Sequence, residues 1–355
     1  MKRAVAIADR IAHKALLLLA ALNVLFFISF LVMIMLTMGK AHAEASACKG
    51  SDMLAALQKS DPALVEKIAA EAAETPNGKG LLWKIEKGDE KPSFLFGTMH
   101  MTDPRVTTLT PAAQKAFDAS GTVVIETTEV LDQSKMVAAI MKEPDLTMFT
   151  DSTTLTSLLS PEDAALVDKA LDARGIPPAS VSKMKPWMLS AMVALPACEF
   201  SRKAAGAPVL DIKLAQDAKT SGKELEGLET VADQLRAMAS LPMDFHMKGL
   251  VDTLKLGDRM DDVIETMIVL YERGDTGMFW PLFRAVLPNE ANGDDGYAAF
   301  DEAMIKARNR TMAEHAEPIL ARGSAFIAVG AMHLPGSDGL IALLRNDGYK
   351  VTVID

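Results

Sequence analysis

Positive charge, cysteine and aromatic side chains are all scarce in this sequence. Aromatics make up 5% of its 355 residues, and the only cysteines are Cys48 and Cys198. Outside residues 1–43 the chain carries 32 Lys+Arg against 46 Asp+Glu, a net charge of −14. That balance argues against nucleic acid or an anionic lipid surface as the main partner, since both reward clustered positive charge. Gly-x-Ser-x-Gly is absent, and no Ser-His-Asp arrangement can be picked out. Gly-x-Gly-x-x-Gly and the phosphate-binding loop are absent too, which sets nucleotide chemistry aside. No low-complexity segment interrupts the chain.

One long apolar run is present, at the amino end. Lys2, Arg3, Arg10 and Lys14 precede residues 15–38, which hold no charge and are interrupted only by Asn23, Ser29 and Thr37. Ala41-His42-Ala43 follows, the small-x-small pattern that a signal peptidase accepts. At ~1.5 Å per residue, a helix of this length reaches across a ~30 Å hydrocarbon layer. Residues 1–43 therefore read as a cleaved signal peptide or an uncleaved transmembrane anchor, and in both cases the rest of the chain is exported to the periplasm. Residues 15–38, if uncleaved, are the only expected membrane contact. In an oxidising compartment Cys48 and Cys198 read as a disulfide, whose long loop would stabilise by roughly 4–5 kcal/mol in the chain-entropy model. Two alternatives stand beside it. The thiols are unpaired and buried, or Cys48 carries a lipid, since Ala45-Ser46-Ala47-Cys48 loosely resembles a lipobox.

The remaining 312 residues, 44–355, exceed the usual size of one simple core. Residues 49–77 show apolar side chains at three-to-four spacing, expected as one amphipathic helix. Residues 81–85 and 93–96 are short apolar runs around a charged turn, expected as a hairpin. Residues 111–119 read as a helix, and Thr122-Val123-Val124-Ile125 as a strand buried on both faces. From 130 to 316 the pattern becomes helical and rich in Leu, Ala and Met. Ser160-Pro161-Glu162 is a helix start, and Val209-Leu210-Asp211 suggests a brief strand return. Residues 324–329 and 349–354 restore strand character around a helix at 339–346. The fold class expected is α/β: a central mixed sheet formed by the N- and C-terminal segments (78–129 and 317–355), with a helical insertion at 130–316.

After the leader only His100, His246, His315 and His333 remain. Two of them share a local pattern. Phe94-Leu95-Phe96-Gly97-Thr98-Met99-His100 is an apolar strand, a glycine, two residues and a histidine, and Ile327-Ala328-Val329-Gly330-Ala331-Met332-His333 repeats it. The bare Gly-x-x-His spacing is weak, as Gly39-Lys40-Ala41-His42 in the leader also fits; the preceding strand is what discriminates. Glycine at a strand end permits a sharp turn or close approach, and the histidine then projects at the carboxyl edge, where α/β sheets place their sites. Glu126 ends the third apolar strand and would point the same way. Two imidazoles and a carboxylate suit a divalent metal such as zinc, with room for water. The alternative is that each histidine is simply hydrogen-bonded at a strand end. His246 and His315 lie in helical patterns and read as surface or core residues, and Glu129 as a solvated neighbour.

Taken together, strand-Gly97-Thr98-x-His100, Glu126, Lys185-Pro186-Trp187, Leu210-Asp211, Leu228-Glu229-Thr230, Arg308-Asn309 and the closing Val329-Gly330-Ala331-Met332-His333-Leu334-x-Gly336-x-x-Gly339-Leu340 resemble the TraB/GumN (Tiki-like) family over residues 50–354. The resemblance implies a metal-dependent hydrolase, a peptidase favouring manganese or cobalt, acting on a peptide or protein. It implies His100, Glu126 and His333 as metal ligands, Glu126 also as a catalytic group, and Arg308 and Asn309 as catalytic polar support that could polarise a carbonyl. Asp211 and Glu229 fall on the same motifs, though an N-cap and a helix-surface charge explain them equally well. The superfamily also holds erythromycin-esterase-like hydrolases and ChaN-like haem-binding lipoproteins. A non-catalytic periplasmic binding protein for haem, metal or a peptide is therefore the rival expectation.

A protein beginning at Glu44 is expected to fold alone, because its periodic elements are complete without the leader. A cooperative melt under oxidising conditions checks this. An insoluble or unfolded product would put the boundary elsewhere.

Overall fold

The computed structural model describes residues 48–286 and 298–354. The leader lies outside them, so the expectations for residues 1–43 do too. Among the described residues no helix is long and apolar enough to cross a membrane.

Six strands form one mixed sheet in the order β4-β3-β5-β2-β1-β6. They are β1 (Leu82–Glu86), β2 (Ser93–Thr98), β3 (Thr122–Ile125), β4 (Glu224–Gly227), β5 (Ala325–Gly330) and β6 (Lys350–Val353). The expected hairpin is there: β1 pairs antiparallel with β2. β2, β5, β3 and β4 run parallel to one another. β6 returns antiparallel to β1 at the far edge, so the last helix, Leu340–Asn346, crosses past two strands. The α/β expectation holds, with strands from both chain ends.

Period-two alternation divides the sheet's side chains between two cores. Phe96, Val123, Ile125, Phe326 and Ala328 face one side, against helices Pro111–Ala119, Leu210–Thr220 and Arg259–Glu272. Leu95, Val124, Ile327 and Val329 face the other, against Ala307–Leu320 and Leu340–Asn346. Burial on both faces is why the parallel strands read as unbroken apolar runs. A third, separate core of Leu155, Val167, Leu171, Val181, Leu189, Val193 and Leu250 holds the helical insertion together.

Three local expectations are corrected. Residues 49–77 form two helices, Met53–Ser60 and Pro62–Ala73, because Pro62 cannot continue the first and Asp61 caps the second. Val209-Leu210-Asp211 is no strand; Leu210 opens a helix. The insertion instead supplies β4, which lacks β-branched residues and sits at the sheet edge with only β3 beside it. Tertiary pairing outweighs weak propensity there.

Cys48 and Cys198 are joined, with Cα atoms 5.3 Å apart across 150 residues of chain, and neither thiol is free. Reduction is expected to lower the unfolding free energy by roughly 2–5 kcal/mol, the range for native disulfides. Denaturant melts with and without reductant measure it, and identical midpoints would contradict it.

Candidate functional site

β5 lies between β2 and β3, so their carboxyl ends share one rim. His100 follows β2, Glu126 follows β3, and His333 closes the 3-10 turn Ala331–His333 after β5. The three expected residues thus meet at one place. A side-chain carbon added at Gly330 would stand 3.2 Å from Glu126 Oε1, 3.5 Å from His333 Cδ2 and 3.9 Å from His100 Nε2. Gly330 is the floor of the site. Neither motif glycine adopts the left-handed backbone that glycine favours; both supply space. Gly97 makes it for packing, since a carbon there would press to 3.2 Å on Ala331 and Leu334. The expected sharp turn is not what the glycines do.

Each imidazole is tied down on its far side. His100 Nδ1 lies 2.7 Å from Asp211 Oδ2, and Thr98 Oγ1 donates to the other Asp211 oxygen at 2.6 Å. His333 Nδ1 lies 2.7 Å from Asn309 Oδ1, while Asn309 Nδ2 donates to the Asp338 carbonyl at 2.8 Å. Asn309 could not hold its amide otherwise, so its oxygen is the acceptor and His333 carries its proton on Nδ1. The unprotonated Nε2 of His333 is left for the site and stands 3.8 Å from Glu126 Oε1, and His100 Nε2 faces the same space. Tyr271 braces the first motif by donating to the Gly97 carbonyl at 2.9 Å.

Glu126 is buried and fully engaged. Its Oε1 accepts the Gly330 N–H at 2.7 Å; its Oε2 accepts Arg308 at 2.7 Å and Gln234 at 3.0 Å. Arg308 also grips Glu229, at 2.7 Å. Asp211 and Glu229 are therefore neither an N-cap nor a surface charge; both are buried partners of the site. Asn309 is wholly buried with both amide atoms occupied, by His333 and the Asp338 carbonyl, so it orients His333 and has no free group for a substrate carbonyl. Glu129 accepts the Val231 N–H and takes no part. His246 is buried on the Met238 carbonyl, and His315 is exposed on the Leu228 carbonyl. Gln234 and Tyr271 had no signal in the sequence, and Thr98 had one only in the Gly97-Thr98-x-His100 motif. Asp211 had a signal only in the Leu210-Asp211 motif.

The electrostatics differ between the halves. The Asp211 carboxylate raises the His100 pKa to about 9 against the opposing effect of burial, although the ring is 60% exposed and solvent screens the pair. Burial pushes His333 down to about 4, outweighing the pull of Glu126. Burial alone would raise Glu126, but His333, His100, Arg308 and the Gly330 N–H together hold it at about 2. At neutral pH His333 is itself uncharged, so the direction for Glu126 rests on the other three.

Whether a divalent cation fits is a question of donors and charge. Two Nε2 atoms and a carboxylate oxygen face one space, and the imidazoles carry the outer hydrogen bonds usual for ligating histidines. Glu126 and Glu229 share the Arg308 guanidinium and Asp211 pairs with His100, so the three carboxylates outnumber the positive groups they bond, an excess of negative charge that a cation offsets. Among the described residues no group of three or more His, Cys, Asp or Glu side chains already stands at ligand spacing. The donor set fits the ion in kind; closure around it requires the side chains to move together.

Two outcomes follow. Gly330 has φ −51° and ψ 134°, allowed for alanine, so Gly330→Ala should fold with a near-native melting temperature yet fill the site and abolish cation uptake; unchanged uptake would disprove the placement. Acid stability is the second. His333's folded pKa lies below the unfolded 6.5, so the native state binds fewer protons and stability falls as pH drops from 6.5 to 4, by roughly 3 kcal/mol. Glu126 continues the loss from 4.5 toward 2. His100 has the opposite sign, its screened contribution fading as pH rises from 6.5 to 9. Denaturant titrations of chelator-treated protein should show the acid loss, and His333→Gln should flatten it between pH 6.5 and 4.

Comparison with known proteins places these residues in context. Residues 81–353 match the family model described as the TraB/PrgY/gumN family. The chain is 26% identical over 321 residues to the protein named Metalloprotease TIKI2 of Danio rerio, covering 76% of this chain and 60% of that protein. It is 26% identical over 315 residues to Metalloprotease TIKI1 of Danio rerio, covering 76% and 62%. Against Metalloprotease TIKI1 of Xenopus tropicalis it is 24% identical over 316 residues, covering 76% and 60%. The chain thus spans about 60% of the length of the curated relatives it matches. No solved structure matches it.

Proposed function

The chain belongs to the TraB/PrgY/gumN family, and on that premise we propose that it is a metal-dependent hydrolase of peptide bonds. His100, Glu126 and His333 would hold the cation. The observation that carries this reading is the convergence of two Nδ1-anchored imidazoles and one carboxylate on the space above Gly330. The names of the relatives, metalloproteases, support the reaction class. Manganese, cobalt and zinc all suit two nitrogens and an oxygen.

When bound, such an ion supplies Lewis acidity toward a peptide carbonyl and toward water. The chain's own residues do the rest. Asn309 keeps the buried His333 in one tautomer and one orientation, and Asp211 does the same for His100. Arg308 and Gln234 hold Glu126 through Oε2, so that Oε1 is turned toward the two Nε2 atoms. Glu126 is held ionised there and is placed to accept a proton. His100, the exposed member, stands on the solvent side where substrate enters. Export, periplasmic location and a leader at residues 1–43 belong to the same proposal, and the Cys48–Cys198 bond supports an oxidising compartment.

One observation favours the rival. Arg308 already compensates Glu126, which would suit a site that binds a peptide or haem without turnover. Purified protein separates the two readings. Incubation with a peptide library should give cleavage stimulated by manganese, cobalt or zinc, whereas stoichiometric capture or a Soret band without products would favour the binding role. His333→Ala and Glu126→Gln should each cost at least about a hundredfold in rate, and the double variant little more, because removing one member disables the unit. His315→Ala should stay close to wild type. Full activity in His333→Ala would end the proposal.

A further inference from the structure

Residues 101–103, directly after His100, are buried although they form a loop. A buried loop must find partners for its polar groups, and here one short helix, Ala197–Ala204, supplies them. Glu199 Oε1 accepts the Thr102 N–H and Oε2 accepts the Thr102 hydroxyl, each at 2.7 Å. Lys203 Nζ donates to the His100 carbonyl at 3.1 Å. Arg202 lies 3.6 Å from Asp103.

Glu199 is the centre of this grip and is fully buried. Arg202 and Lys203 each stand 3.8 Å from it, balancing its charge. A buried ion pair is a poor source of stability, and an apolar side chain of similar volume would serve packing as well or better. What a carboxylate adds is direction: both oxygens are spent on one residue, two positions from His100. A helix of eight residues does not hold itself in place. Its anchor is Cys198, the residue before Glu199. Cys48, on the other side of the disulfide, begins a segment laid on helix Arg259–Glu272. Ser51 donates to Asp262 there at 2.7 Å, and Met53 N–H to Thr266 at 2.8 Å.

We propose that Glu199 is a positioning residue for His100, and that the Cys48–Cys198 disulfide holds Glu199 in register. Asp211 fixes the imidazole ring; Glu199 fixes the backbone that carries it. The site would then reach its working geometry only once the bond has formed. This rests on the reading that His100 belongs to the functional site.

The test uses chelator-treated protein with isotope-labelled histidine, observed by NMR. In Glu199→Ala the His100 ring signal should move or broaden, and Thr102 amide exchange should speed up by at least about tenfold, the loss of a hydrogen bond to a charged group. The His246 and His315 signals should stay in place. Glu199→Gln keeps the size and one acceptor, so it should restore most of the native His100 position. Reducing the wild-type disulfide should reproduce the alanine result. An unmoved His100 signal with unchanged Thr102 exchange in folded Glu199→Ala would overturn the proposal. If that variant does not fold, an unmoved signal in the reduced wild-type protein overturns it instead. These signals need neither metal nor substrate, so an absence of hydrolysis would count against the hydrolase reading alone.

Discussion

The placement of β5 between β2 and β3 is the constraint on which the site depends. Neighbouring strands lie about 4.8 Å apart, so residues just past their carboxyl ends can meet over one or two strand widths. Thr98 pairs with Gly330 and Ile125 with Ala328, which brings the three chain exits to nearly one level. The pairing is itself enforced by burial. A one-residue slip of β5 would send Phe326 and Ala328 to the face now filled by Ile327 and Val329, emptying one core and overfilling the other.

The two Gly-x-x-His elements look alike but are not equivalent. His333 is buried and rests on a neutral amide; His100 is open and rests on a carboxylate. Burial removes the proton from one ring, and a neighbouring negative charge attracts it to the other. A site with one sheltered neutral nitrogen and one exposed basic nitrogen has a fixed side and an entry side.

The helical insertion completes what the sheet begins. The sheet and the turns after its strands contribute His100, Glu126 and His333. Most of the groups that orient them come from residues 130–316: Asp211, Glu229, Gln234, Tyr271, Glu199, Arg308 and Asn309. Each acts through a hydrogen bond of ordinary length, and several are buried charges that would be unfavourable alone. Arg308 is shared between Glu126 and Glu229, and Glu199 lies between Arg202 and Lys203. The cost of burying these groups is offset only when all are present, which makes the support cooperative.

The sequence by itself determined the elements that carry periodicity and composition. Val123-Val124-Ile125 and Phe326-Ile327-Ala328-Val329 are apolar without alternation because both their faces are covered, and their ends could be read together with the histidines and Glu126 that follow. The paired cysteines were legible for the same reason, since their rarity leaves one pairing. Only the tertiary structure decided which strands are neighbours, that β4 exists, and what stands behind each imidazole. Asp211, Gln234 and Glu199 sit on helices whose polar residues look solvent-facing in sequence. A helix shows which residues share a face, but which face meets the sheet rim is set by packing about a hundred residues away, where no local period reaches.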